Sequence, residues 1–208
     1  SVFKETNKKI VEALETQGAK AHGLISNIFE CTMADPSLGY VGSIQSVDIN
    51  LINEVLELDS IPVIAPVGFQ DNEVLNINAD IATVELVKAI NPYKAIFLSE
   101  IGGIFNKTGQ LIPNINLALE YNELMQEKWL HSGMKLKLEQ IKSLLDHLPK
   151  TASVSITQPI NLPKELFTDS GSGTLIKHGY SVVQHQLPDK DVEDQFRKIV
   201  ETSFKGKL

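Results

Sequence analysis

A chain of 208 residues with a hydrophobic fraction of 42% can bury one sizeable core. Its net charge of −7, with Arg197 the single arginine, excludes the basic stripe that a nucleic-acid surface needs, so any anion site must rely on lysines, backbone amides and helix ends. Cys31 is the single cysteine, which excludes an intrachain disulfide and a cysteine-based zinc site, and no apolar run approaches the roughly 18 residues of a membrane span.

Residues 4–17 read as a helix with Ile10, Val11 and Leu14 on one face and Gly18 as its stop. Residues 21–26 read as a short strand, 33–39 as turn-rich and 40–47 as an extended arm. Asp48 is placed to cap a helix over 49–58. Ile61-Pro62-Val63-Ile64-Ala65, ended by Pro66 and Gly68, reads as a buried strand. After a turn at 70–72 and a short run at 73–75, a helix is expected over 79–90. Its apolar residues (Ile81, Ala82, Val84, Leu86, Val87, Ala89, Ile90) lie on most of its sides, so it should be buried all round. Asn91-Pro92 stops it.

Ala95-Ile96-Phe97-Leu98 is the next buried strand, running into Ser99-Glu100-Ile101-Gly102-Gly103. A small hairpin around Lys107-Thr108-Gly109 leads to a helix over 117–127. Met134, Leu138, Ile141, Leu145 and Leu148 mark a helical stripe that ends at Pro149. Residues 152–157 read as a strand, 162–167 as a short helix, 174–176 and 180–183 as strands. This alternation of strands and helices implies an α/β fold with a mainly parallel sheet. The polar stretch 184–190 reads as a linker. Residues 191–204 read as a charged helix with Phe196, Ile199, Val200 and Phe204 spaced for docking, so 184–208 is expected to lead into another domain.

Leu75-Asn76-Ile77-Asn78-Ala79-Asp80 sits where a strand turns into a helix, whose N-terminus presents unpaired N–H groups and the positive end of its dipole. An amide and a carboxylate there can orient an acidic substrate and a lysine; equally, Asn78 or Asp80 can simply cap the helix. The Gly-Gly turn after the 95–98 strand lies where α/β sheets bind ligands, though such turns are common and no Gly-Lys-Ser/Thr follows to make a Walker loop. Lys137 borders the apolar stripe of its helix. It either snorkels to solvent or reaches a cleft to neutralise a phosphoryl group; Lys135 reads as solvated. Glu165 before Phe167-Thr168-Asp169-Ser170-Gly171-Ser172-Gly173-Thr174 marks either an ordinary turn or a site for a cationic ligand. The five histidines show no metal-ligand spacing, and no protein metal site is expected.

Together, Gly39-Tyr40-Val41-Gly42, Ile61-Pro62-Val63-Ile64, the stretch 76–80, Gly133-Met134-Lys135-Leu136-Lys137-Leu138 and Glu165-Leu166-Phe167-Thr168 with Gly171-Ser172-Gly173-Thr174 resemble the acetylglutamate kinase family of the amino-acid kinase fold. The run 142–154 is similar to the arginine-regulated branch, which includes fungal mitochondrial kinases and bifunctional synthase/kinases. The resemblance implies a three-layer αβα sandwich over 1–183 and phosphoryl transfer from ATP to the side-chain carboxylate of N-acetyl-L-glutamate, with Mg²⁺ held mainly by the phosphates. It further implies L-arginine as an effector, a homo-oligomer, no nucleic-acid or membrane partner, and a mitochondrial matrix location in a eukaryote or a cytoplasmic one otherwise.

By position, the resemblance makes Asn76 a contact for acetylglutamate, Asp80 the residue that orients catalytic lysines, and Lys137 the stabiliser of the transferring group. It assigns Glu100, Ile101, Gly102, Gly103, Ile104 and Phe105 to the nucleotide pocket, with Trp129, Leu130 and His131 near the adenosine, and Glu165, Gly171 and Gly173 to the arginine site. The family's opening Lys-x-Gly-Gly strand and following Gly-rich loop are not present, and the first residue is Ser1. A chain that begins partway through the kinase domain is expected to be inactive by itself. The competing expectation is a kinase-like arginine sensor within an acetylglutamate synthase.

Overall fold

The structure, a computed structural model, describes residues 2–71, 73–168 and 171–180, together with Asp194 and Lys198, which have helical backbone. The linker over 184–190, most of the helix over 191–204 and the strand expected over 180–183 fall outside those residues; Tyr180 itself is not in a strand.

α1 (Val2–Thr16) packs on β1 (Ala21–Leu24) and β4 (Ile61–Ile64), which pair in parallel as a two-stranded sheet. Asn7 is the one residue that α1 buries, and its Nδ2 donates to the Val63 carbonyl at 2.7 Å, which satisfies a polar group that burial would otherwise penalise. α2 (Asn50–Glu57) covers β4 and starts where Asp48 Oδ1 accepts from the Asn50 N–H at 2.9 Å.

A second sheet has the order β3-β2-β5-β6, built from β2 (Phe29–Met33), β3 (Gly42–Val47), β5 (Val67–Gln70) and β6 (Glu73–Asn76). β2 and β5 are absent from the sequence reading. Gly68, read as the end of the preceding strand, lies inside β5. A Cβ there would overlap the Cys31 Sγ of the neighbouring β2, so the glycine permits close pairing of the two strands.

The third sheet runs β7-β9-β10-β8, from β7 (Lys94–Leu98), β8 (Asn114–Asn116), β9 (Ser153–Thr157) and β10 (Thr174–Lys177). Across the three sheets, four strand pairings are parallel and three antiparallel among the described residues. The α/β, parallel-rich fold is as expected, with its strands divided among three sheets rather than gathered in one. β8 is too short for its sequence to show.

α3 (Ala79–Ile90) has the expected bounds but not the expected burial. Ala82, Val84 and Val87 are buried, whereas Ile81 and Ile90 are 48% and 40% exposed. Composition sets what a helix can bury, and its neighbours decide what it does bury. Asn91 ends the helix in the left-handed region at φ 54°, a C-terminal role that Asn shares with Gly.

α4 (Leu117–Gln126) follows β8, and α5 (Ser132–His147) follows α4. α5 buries Leu138, Ile141, Leu144 and Leu145 in the larger core, with Val154 and Ile156 of β9. α6 (Leu162–Phe167) also contacts β9, and every residue of that strand is buried. Leu144→Ala should lower the stability by about 2–5 kcal/mol, the cost of a core cavity, read as a lower midpoint in urea unfolding.

Candidate active site

β6 ends at Asn76, and the chain turns into α3 through Ile77, whose N–H donates to the Pro66 carbonyl at 3.0 Å. Asn78 is the cap. Its Oδ1 accepts from the N–H groups of Asp80 at 2.9 Å and Ile81 at 3.2 Å. Asp80 is therefore not needed as a cap. Its carboxylate, in a first turn where the helix dipole favours negative charge, meets Lys137 from α5, with Nζ 3.7 Å from Oδ2.

Lys137 is only 24% exposed, and its ammonium lies 5.3 Å from the centroid of the Phe97 ring of β7. The lysine thus turns inward, between a carboxylate and an aromatic face that also favours a cation. Asn76 sits at the same strand-to-helix junction. Its N–H donates to the Tyr40 carbonyl at 2.8 Å, and it bridges to Val41, so the Gly39-Tyr40-Val41-Gly42 stretch runs beside it. Its exposed side chain makes no hydrogen bond to Asp80 or Lys137.

A cleft of about 250 Å³ opens beyond the carboxyl end of β7. Ile101, Gly103, Ile104, Phe105 and Asn106 form one wall; Trp129, Leu130, His131 and Met134 form the other. Glu100 and Gly102, expected in this pocket, do not line it. Glu100 is exposed and its carbonyl accepts from Gln158 Nε2 at 2.8 Å, while Gly102 is buried against the Gln158 side chain. These two residues anchor the wall instead of forming its surface. Asn106 and Met134 were missed, although Met134 heads the stripe of α5. Lys135, expected to be solvated, donates from Nζ to the Met125 carbonyl at 2.7 Å, tying the end of α4 to the start of α5. Carbonyls at a helix end lack intrahelical partners, so the contact supplies one.

The cleft and the charged pair share a helix. Met134 and Lys137 are three residues apart on α5 and so lie on neighbouring faces. The start of the helix is at the cleft, and the next turn reaches Asp80.

A second pocket of about 340 Å³ lies beside α6. It is lined by Lys94, Ser153, Glu165 and Lys177, with Leu166, Phe167, Thr168 and Leu175. Glu165 is 2% exposed. Its Oε1 accepts from the N–H groups of Ser172 at 2.8 Å and Gly173 at 3.0 Å, and its Oε2 lies 3.3 Å from Lys94 Nζ. Burial pushes the Glu165 carboxyl up, but the Ser172 N–H, the Ser155 hydroxyl, the Gly173 N–H and the Lys94 ammonium outweigh that and hold it below the ordinary carboxylate range.

Gly171 and Gly173 shape this turn and do not line the pocket. Gly171 has φ +60° and the Glu165 carboxylate where a Cβ would stand; at Gly173 a Cβ would strike the Ile156 carbonyl. Lys94 and Lys177 escaped sequence reading because neither lies near Glu165 along the chain. A charged residue opening a buried strand was the only hint for Lys94.

The geometry is that of an α/β protein with a cleft at the strand ends and a lysine–carboxylate pair at a helix start. The family model "Amino acid kinase family" matches residues 2–154, and the chain belongs to that family. Acetylglutamate kinase from Xylella fastidiosa (strain Temecula1) is 45% identical over the whole chain, which covers 50% of that protein. The bifunctional protein argC, mitochondrial, of Dictyostelium discoideum is 39% identical over 97% of the chain and 24% of its own length. N-acetylglutamate synthase from Neisseria gonorrhoeae, in a structure complexed with coenzyme A and L-arginine, superposes with a TM-score of 0.67 at 19% identity, over 88% of this chain and 43% of that one. The chain thus spans about half the length of the curated bacterial relative and less of the others.

The pH dependence follows from Glu165. Its folded pKa lies below an unfolded value of about 4.3, so its stabilisation is complete above that value and is lost as pH falls through the folded pKa. Urea unfolding at a series of pH values should show the acid-side loss of stability to be shallower in Glu165→Gln than in the unsubstituted chain. Equal slopes would mean that Glu165 has the same pKa folded and unfolded.

Proposed function

We propose that the chain is part of an acetylglutamate kinase, which transfers the γ-phosphoryl group of ATP to the side-chain carboxylate of N-acetyl-L-glutamate in arginine biosynthesis. The observation that carries this reading is α5. One helix reaches the cleft through Met134 and, a turn later, sets Lys137 against Asp80 at the start of α3. A nucleotide with its base between the Gly103–Phe105 and Trp129–His131 walls would send its phosphates toward Lys137. The bacterial relative that matches the whole chain supports the same choice of substrate.

In this reading an acceptor carboxylate oxygen attacks the γ-phosphorus, and the bond to the ADP oxygen breaks. Lys137 neutralises charge on the transferring group, Asp80 orients the lysine, and Asn76 holds the acceptor. Phosphoryl transfer depends on positioning and charge neutralisation more than on covalent help from the protein. Among the described residues no group of three His, Cys, Asp or Glu is placed to hold a metal ion. Mg²⁺ held by the phosphates would supply further neutralisation. The mitochondrial relative supports a matrix location if the chain is eukaryotic.

A second site for L-arginine is part of the proposal. The Glu165 pocket holds Lys94 and Lys177 beside one buried acid, and a cationic ligand there would compete with Lys94 for the Glu165 carboxylate. A non-catalytic, arginine-sensing domain is the competing reading, and the intact Lys137–Asp80 pair favours the kinase.

A coupled assay of ADP release with N-acetyl-L-glutamate tests this. Any turnover should fall by about a hundredfold in Lys137→Ala, the scale of losing one charge stabiliser, with an unchanged thermal melt. Turnover that survives the substitution would make Lys137 a structural residue. Calorimetry separates the two readings: ATP binding is expected of the kinase, and arginine binding without ATP binding of the sensor.

A further inference from the structure

The wall of the cleft formed by Gly103, Ile104 and Phe105 is held from behind by one hydroxyl. Thr174, fully buried at 0% exposure, accepts from the Ile104 N–H at 2.8 Å and donates to the Ile112 carbonyl at 2.7 Å. Ile112 N–H in turn donates to the Ile104 carbonyl at 2.8 Å. The hydroxyl therefore closes the base of the loop that carries the wall and ties it to the first residue of β10. A hydroxyl alone among small side chains both donates and accepts in this way. Gly103 makes the approach possible, since a Cβ there would stand 2.9 Å from Thr174 Oγ1. On its other side Thr174 follows Gly173, whose N–H is held by Glu165.

We propose that Thr174 is a positioning residue of the cleft, its hydroxyl setting the Gly103–Phe105 wall and linking that wall to the turn gripped by Glu165. The inference rests on reading the cleft as the nucleotide site. Thr174 touches no substrate in this role; it acts through the Ile104 backbone. Without the hydroxyl, a buried N–H and a partly buried C=O lose their partner, and the loop relaxes toward whatever satisfies them.

Trp129 is the single tryptophan of the chain and lines the opposite wall, so its fluorescence reports occupancy. Titration of the full chain with MgATP should give an affinity about tenfold weaker in Thr174→Val, a change of about 1.4 kcal/mol, and near the original value in Thr174→Ser. Amide hydrogen exchange should show Ile104 deprotected in Thr174→Val and protected in Thr174→Ser. Thr174→Ala removes the same two bonds without adding a methyl group, and serves in place of the valine variant if that one fails to fold. Unchanged MgATP affinity in the valine or alanine variant would overturn the inference. Absence of any MgATP response in the unsubstituted chain would instead overturn the nucleotide reading; Ile104 exchange would then decide by itself whether the hydroxyl positions the wall, with unchanged protection counting against it.

Discussion

The packing of α5 on β9 is the constraint from which the rest of the site takes its geometry. Leu138, Ile141, Leu144 and Leu145 are almost fully buried with Val154 and Ile156. Once that stripe is seated, the helix cannot rotate without exposing it, and the positions of its other residues follow. Met134 faces the cleft, Lys137 reaches over Phe97 to Asp80, and Lys135 closes on the end of α4. The polar residues that we assign to chemistry are placed by apolar burial, at about 1.5–3 kcal/mol for each fully buried large side chain.

β9 has two different sides. Val154 and Ile156 point into the core shared with α5; Ser153, Ser155 and Thr157 alternate with them and so point the other way. Ser153 lines the Glu165 pocket, and the Thr157 carbonyl accepts from Ser99 N–H at 2.8 Å, where the cleft loop begins. One strand therefore runs from the second pocket to the root of the first. The Thr157 hydroxyl is buried without a hydrogen-bond partner, an arrangement that costs about 1–3 kcal/mol, whereas the Ser155 hydroxyl helps to hold the charge of Glu165.

Where periodicity was long and unbroken, the sequence was legible. The bounds of α3 follow from its cap and its Asn91 stop, and the α5 stripe can be read before any coordinates. β2 and β5 were not legible because each is short, and one contains the glycine that usually marks a strand's end. Half of the candidate site lay in continuous motifs, such as the segment 101–105. The other half depends on pairing across distance: Lys94 with Glu165, Lys137 with Phe97, Ile104 with Thr174. No local pattern encodes those contacts, because they arise only when β7, β9 and β10 lie side by side. Of the residues read by resemblance, Lys137 meets Asp80, and Ile101 with 103–105 and 129–131 lines one cleft, but Glu100 and Gly102 act as anchors behind the surface they were expected to form.

The lysine–carboxylate pair at the start of α3 adds little to stability. Asp80 is 42% exposed, and ion pairs open to solvent contribute about 0–1 kcal/mol. Its consequence is directional. A lysine is a point charge on a flexible stem, able to follow a group that moves between two oxygens, where the planar fork of an arginine would hold one geometry. Left free, that stem would sample many rotamers, and ordering it at the moment of reaction would cost entropy. Asp80 and the Phe97 face restrict it in advance, and in the proposed reaction a phosphoryl oxygen would compete for a contact that stands at 3.7 Å. Preorganisation of a mobile cation, rather than a strong ion pair, is what this geometry supplies.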